Sequence, residues 1–365
     1  MRLLLAHFKK LDWQIIVCVF LITGIGLLSL YSSSLGRDDF SDFKKQIIFL
    51  GIGIFLMVFV SFFDWRIFRE NSYLILILYF ICLASLIGLF FFAPEIRGVK
   101  SWYKIGNISI DPIEFTKIIL VILLAKYFST RHTELYRVYH IILSGIYVLL
   151  PAALVFFQPD LGSALILIFL WVAILLVSGI RIKHFLILTF CGLLILVFSW
   201  IFLLKDYQKE RIISFIEPQF SPLGAGWSQS QTKIAIGSGG LLGQGIGKGS
   251  QTQHGFLPEP KTDFIFAAVA EEMGLVGVTV LLFLFSILIW RIFKIAINSE
   301  DNFIRLFSFG FSVILMVQIF INISMNLGLL PVIGIPLPLV SYGGSSLISI
   351  FIALGILLNI QSDTV

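Results

Sequence analysis

Charge is what this chain has least of. Only 13% of its 365 residues are Asp, Glu, Lys or Arg, against about 25% in a soluble globular protein. Too little polar surface is left to cover a water-soluble core. Metal-binding and nucleophilic signatures are missing as well. Cys18, Cys82 and Cys191 lie in separate apolar runs, with no Cys-x-x-Cys spacing and no histidine nearby, so they read as small buried hydrophobes and not as zinc ligands. There is no Gly-x-Ser-x-Gly and no His-Glu-x-x-His, which argues against hydrolase triads and zinc hydrolysis.

What is present is apolar, at 58% hydrophobic residues and a mean hydropathy of +1.00. It comes in runs of roughly 18–25 residues, the length that crosses a hydrocarbon layer about 30 Å thick. The expected fold is an all-α polytopic membrane protein of about ten transmembrane helices, near 13–35, 46–63, 73–92, 113–129, 140–157, 161–178, 184–204, 264–290, 303–328 and 344–360. The whole chain, 1–365, reads as a single domain. No small-residue cleavage site follows the first run, which is expected to stay as a span.

Ten spans put both termini on one side. That side holds Arg2, Lys9, Lys10, Arg66, Arg69, Lys126, Arg131, Arg137, Arg181, Lys183, Arg291, Lys294 and Arg305, thirteen basic residues. The short connections opposite hold six: Arg37, Lys44, Lys45, Arg97, Lys100 and Lys104. The bias places both termini in the cytoplasm and the long 205–263 loop outside. The net charge of +5 is then orientation signal and contact with membrane lipid headgroups, not a nucleic-acid footprint. Outside there is no ATP, so synthetic chemistry there needs a substrate that already carries its leaving group. Leu330 to Gly344, apolar yet rich in Pro and Gly, reads as a re-entrant segment, tolerated at membrane depth only when buried in protein or lining a polar cavity.

Ionisable groups inside a membrane are functional candidates, at about 2.5–3.5 kcal/mol each on insertion scales. Glu114 and Lys117 stand three apart and share a helix face; they form either a mutually neutralising pair or part of a pocket. Asp263, in LPEPKTDF at 257–264, is either a helix cap or a carboxylate at the outer boundary that takes a proton from a hydroxyl. Asp160 in QPDLGS is a cap candidate too. Glu271 and Glu272 are expected about two turns deeper, near middle depth, and as helical neighbours they point about 100° apart, so they do not both serve one site.

Seven glycines between Gly237 and Gly249 surround Lys248, but the stretch fails the phosphate-loop pattern: Leu242 stands where the first Gly belongs, and Gly249 where Ser or Thr should follow the lysine. Two readings stay open. It is a flexible loop, or its backbone N–H groups cradle a diphosphate with charge from Arg211, Lys233, Lys248 or Lys261.

QPDLGSA at 158–164, KIAIGSGGLLGQGIGKGSQ at 233–251, FLPEPKTDFIFAAVAEEMGLVG at 256–277 and NLGLLPVIGIPLPLVSYGGSS at 326–346 resemble the SEDS family (shape, elongation, division and sporulation). DYQKERIISFIEP at 206–218 and PLGAGW at 222–227 are more similar to its elongation branch than to its division branch. The resemblance implies a peptidoglycan glycosyltransferase that joins lipid II units into a lipid-linked glycan strand outside the cytoplasmic membrane, working with a class B penicillin-binding protein. It makes Asp263 the catalytic aspartate, and Glu114, Lys117 and Asp160 the family's polar site residues. Asp263 would deprotonate the acceptor sugar 4-hydroxyl, basic groups would stabilise the departing diphosphate, and inversion would yield a β-1,4 bond. No cofactor is implied with certainty; a divalent cation at the diphosphate is left open. The rivals are a flippase, which demands a polar path through the full membrane thickness, and a non-catalytic scaffold for a transpeptidase.

Overall fold

The computed structural model describes residues 10–36, 38–94, 100–106, 108–131, 138–217 and 224–364. Among the basic residues counted above, Arg2, Lys9, Arg37, Arg97 and Arg137 lie outside them. In chain order the elements are α1 (Trp13–Leu35), α2 (Ser41–Ser61), the short α3 (Arg66–Glu70), α4 (Ser72–Phe92), a hairpin of β1 (Tyr103–Ile105) and β2 (Ile108–Ile110), α5 (Pro112–Ser129), α6 (Val138–Phe157), α7 (Leu161–Val177) and α8 (Ile182–Phe198). There follow α9 (Asp206–Ile216), α10 (Ala225–Ser238), α11 (Ser250–Gln253), α12 (Ile265–Asn298), α13 (Asn302–Leu327) and α14 (Gly344–Thr364).

Eight of these helices are long and apolar enough to cross a membrane, α8 being counted with the π-helical turn Ser199–Leu203 that extends it. Of the other two expected spans, α7 is apolar but has 17 residues, and α5 carries Glu114, Lys117 and Lys126. Helix positions follow the apolar runs closely. The largest differences are that α2 starts five residues early and α12 runs on to Asn298. The 205–263 stretch is not irregular, since it contains α9, α10 and α11.

Aspartates start several helices by accepting from first-turn amides that have no intrahelical partner. Asp12 accepts from Gln14 N at 2.9 Å, Asp111 from Ile113 N at 3.2 Å, Asp160 from Ser163 N at 3.0 Å and Asp301 from Phe303 N at 2.8 Å. Pro112, directly after Asp111, has no N–H to leave unsatisfied and its fixed φ suits the first helical position.

α14 packs along α2, and α13 packs on α12 and α5. α12 lies against α1 and runs antiparallel to it. Near one end Ser32 donates to Glu272, and near the other Arg291 Nε donates to Asp12 at 3.0 Å. Asp12 and Ser32 are twenty residues apart, about 30 Å of helix, the thickness of a hydrocarbon layer. The end with Ser32 carries the 205–263 segment and is called the loop end here; the other is the terminal end. α8 stands apart, with no buried residue. Cys18 and Cys82 are buried as expected, but Cys191, on α8, is exposed because that helix has little to pack against.

Candidate active site

The approach to α12 is held by its backbone carbonyls. Tyr342 N donates to Lys261 O at 2.8 Å, Ser341 Oγ to Thr262 O at 2.7 Å, and the side-chain amides of Asn322 and Asn326 each to Asp263 O at 3.0 Å. Three successive carbonyls are thus fixed by two elements, the segment before α14 and the buried face of α13. The cap position of α12 falls one residue past Asp263. Phe264 occupies the cap position without a side-chain bond, and Asn326 Oδ1 accepts from Ala267 N at 3.3 Å instead. The Asp263 side chain is half-buried beside Gly334, where an added Cβ would stand 3.7 Å from Oδ2. Gly334 has φ +82°, a conformation open mainly to glycine.

Residues 331–343 are non-helical and pack against α1 and α7. Ile335, Leu337, Leu339 and Val340 are buried. Gly26, in the middle of α1, lies against the backbone of Val340, and Gly162 of α7 against Ile333 and Ile335. Asn322 Nδ2 also donates to Ile335 O at 2.8 Å, and Gln46 Nε2 of α2 to Ser341 O at 3.2 Å. These side chains satisfy backbone groups that no helix satisfies.

A second polar cluster sits where α5 and α7 begin. Lys117 Nζ lies 2.7 Å from Glu114 Oε1, both side chains buried. Asp111 and Asp160 are close enough that their charges act on each other and on this pair. Asp111 has its pKa raised well above the usual carboxylate range, first by burial and then by Glu114 and Asp160. Burial likewise raises Asp160, while its bonds to Ser163 oppose the shift. Sequence reading named Glu114, Lys117 and Asp160 as site residues but missed Asp111. Segment 331–345 joins this cluster to Asp263: Gly334 faces Asp263, Ile333 and Ile335 face α7, and Ser345 Oγ accepts from Asp111 N at 2.9 Å. Asn322 and Asn326 were missed too, although two amides four apart on an apolar helix are a legible signal.

The glutamates of α12 are not at middle depth. The helix breaks at Gly274 (φ 66°, ψ −167°), just past them, so Glu272 stands at the level of Ser32 near the end of α1. The glycine-rich loop fills the break. Gln244 N and Gly245 N donate to Glu271 O and Glu272 O at 2.9 and 3.0 Å, while Leu275 N and Val276 N donate to Gly240 O and Leu241 O at 3.0 and 3.1 Å. Both carboxylates serve one structure after all. Glu271 accepts from Gln251 N, Thr252 N and Thr252 Oγ1 at 2.6, 3.0 and 2.6 Å, and Glu272 accepts from Ser32 Oγ and Gln253 Nε2. Gly247 N donates to Ser32 Oγ at 2.9 Å. The amides of Gln244, Gly245 and Gly247 are thereby spent inside the protein and are not open to an anion.

The cations proposed for the diphosphate divide. Lys261 is buried with Nζ 3.0 Å from Asp42 Oδ2, so its charge is already matched. Lys233 lies across Gly328, the left-handed cap that ends α13 near Asp263. Lys248 and Arg211 are exposed on the loop and on α9. Among the described residues no group of three His, Cys, Asp or Glu is placed to hold a metal ion. What the site offers is a carboxylate on a firmly held backbone next to a partly buried acid cluster, with basic side chains around it.

Comparison with known proteins assigns this arrangement to a family. The FtsW/RodA/SpoVE family, described as cell cycle proteins, matches residues 12–365. The chain belongs to this family. Among its members, stage V sporulation protein E of Bacillus subtilis (strain 168) is 35% identical over 361 residues, covering 96% of each chain. Peptidoglycan glycosyltransferase MrdB of Escherichia coli (strain K12) is 34% identical over 352 residues, 96% of this chain and 94% of that one. The crystal structure of Thermus thermophilus rod shape determining protein RodA matches with a TM-score of 0.70 at 28% identity, covering 97% of both chains. A chain of a peptidoglycan synthase complex that coordinates polymerization and crosslinking matches with a TM-score of 0.82 at 31% identity, over 97% of this chain and 98% of that one. The family's polytopic helical fold is the fold of this chain.

Proposed function

We propose that this family member is a peptidoglycan glycosyltransferase that polymerises lipid II on the outer face of the bacterial cytoplasmic membrane, during elongation, with Asp263 as general base. The carrying observation is the hold on Asp263: the carbonyls of 261–263 are each fixed, and the carboxylate lies beside Gly334 of the 331–343 segment. A base must be fixed within hydrogen-bond reach of the proton it takes. Asp263 takes the acceptor 4-hydroxyl proton as the oxygen attacks the donor's anomeric carbon, and the diphosphate departs. Glu114, Lys117 and Asp160, joined by Asp111, bind the polar part of a substrate. Lys233, Lys248 and Arg211 are the candidates to meet the diphosphate, whereas Lys261, already paired with Asp42, positions the approach to α12. The exposed apolar surface of α8 suits a polyprenyl chain.

Both termini lie in the cytoplasm in this reading, the chain forms one transmembrane domain with the 205–263 segment folded on its outer face, and a class B penicillin-binding protein is the partner. A flippase is disfavoured by where charge sits. No charged residue falls between Lys117 and Lys126 of α5, or between Glu272 and Arg291 of α12. Purified protein given labelled lipid II, with and without the partner transpeptidase, should make glycan chains. Asp263→Asn should lower that rate by about 10² to 10⁴, the usual loss when a general base goes. A folded Asp263→Asn protein working within a few-fold of wild type would move the base elsewhere.

A further inference from the structure

At the terminal end, far from Asp263, a cavity of about 290 Å³ opens between α4, α5 and α6. Its lining is divided in kind. Ile75, Leu123 and Leu143 make an apolar wall, while Ser72, Lys126 and Arg131 gather at the polar side. Both cations are held in place by neutral groups. Lys126 Nζ donates to the carbonyl oxygen of Arg69. The Arg131 guanidinium lies 4.6 Å from the ring centroid of Tyr127, whose hydroxyl is fixed 2.8 Å from His140 Nδ1.

Among the described residues no carboxylate forms an ion pair with Lys126 or Arg131. Glu70 acts on Lys126 only from a distance, and Arg69 has its own partner in Asp301 at 2.9 Å. Tyr73 and Tyr139, 84% and 64% exposed, stand at the starts of α4 and α6 beside the opening. Exposed tyrosines at helix ends mark the level where lipid headgroups meet the hydrocarbon.

We propose that this cavity binds one anionic phospholipid, its phosphate between Lys126 and Arg131 and an acyl chain along Ile75, Leu123 and Leu143. Two fixed cations with no ion-paired carboxylate among the described residues, at headgroup depth and above an apolar wall, match a molecule that is anionic at one end and apolar at the other. The site is independent of the polymerase reaction and of which side of the membrane this end faces.

The test is native mass spectrometry of the full chain released from nanodiscs of phosphatidylcholine and phosphatidylglycerol in equal parts. Wild type should retain one phosphatidylglycerol in preference to phosphatidylcholine. Lys126→Gln and Arg131→Gln should each weaken that retention on the order of fivefold, the worth of one basic side chain against an anionic headgroup. Lys183→Gln, exposed at the same end but outside the cavity, should retain it. If Lys126→Gln unfolds for want of its Arg69 contact, Arg131→Gln, which loses only a ring contact, decides alone. Equal retention of the two lipids, or unchanged retention in Arg131→Gln, overturns the proposal. So does displacement of the lipid by excess inorganic phosphate, which would make the site one for a free anion.

Discussion

Asn326 of α13 holds Asp263 from two directions: its Nδ2 donates to Asp263 O at 3.0 Å, and its Oδ1 accepts from Ala267 N, one turn into α12, at 3.3 Å. Both contacts are to backbone, so the asparagine fixes where the carboxylate starts without touching it. Asn322 shares the task and extends it to Ile335.

Asn326→Ala should therefore damage both stability and catalysis, since orphaning buried backbone groups costs about 1–3 kcal/mol. The expected outcome is a lower melting temperature together with a larger fall in the maximal rate of lipid II polymerisation than in substrate affinity. Comparable stability loss from an apolar truncation elsewhere in α13, such as Phe307→Leu, should leave the rate of the folded fraction near wild type. A rate per folded molecule equal to wild type in Asn326→Ala would remove the positioning role.

Lys117→Met should impair folding or activity far more than Lys10→Met, because it leaves Glu114 buried and unpaired. Breaking a buried pair from one side costs about 3–5 kcal/mol. Adding Glu114→Gln should restore stability. Restored polymerisation in that double variant would assign the pair to structure, and continued inactivity with normal melting would assign it to substrate.

The raised pKa of Asp111 makes stability depend on pH with a definite sign. Burial and two neighbouring carboxylates let the folded protein keep a proton that the unfolded chain has lost. This contribution is full below the ordinary aspartate value of 3.8 and fades as pH rises through the raised folded value. The melting temperature in detergent should fall across that window, and Asp111→Asn, an equally good cap, should flatten the fall. An unchanged slope in the variant would show that Asp111 is not the group responsible.

Sidedness is open to direct labelling. A cysteine at Leu242, 81% exposed at the loop end, should react with a membrane-impermeant maleimide in intact spheroplasts. A cysteine at Arg181, at the terminal end, should react only after the membrane is opened. The reverse pattern would place the 205–263 segment in the cytoplasm and remove the case for a pre-activated donor.

Sequence alone determined where the helices are, because a run of some twenty apolar residues has no stable state in a bilayer other than one whose backbone bonds are satisfied within the segment. It also marked Asp263, Glu114, Lys117 and Asp160, since an ionisable group in such surroundings stands out by its cost. Tertiary structure decided what those groups do to one another. Asp111 joins the acid cluster only because α5 and α7 begin side by side. Glu271 and Glu272 lie at the loop end only because α12 breaks at Gly274, and the glycine-rich loop closes because that break exposes two carbonyls and two amides in need of partners. Such partners are far apart in sequence, and the polar backbone left by a broken helix chooses among them by geometry that local composition does not encode.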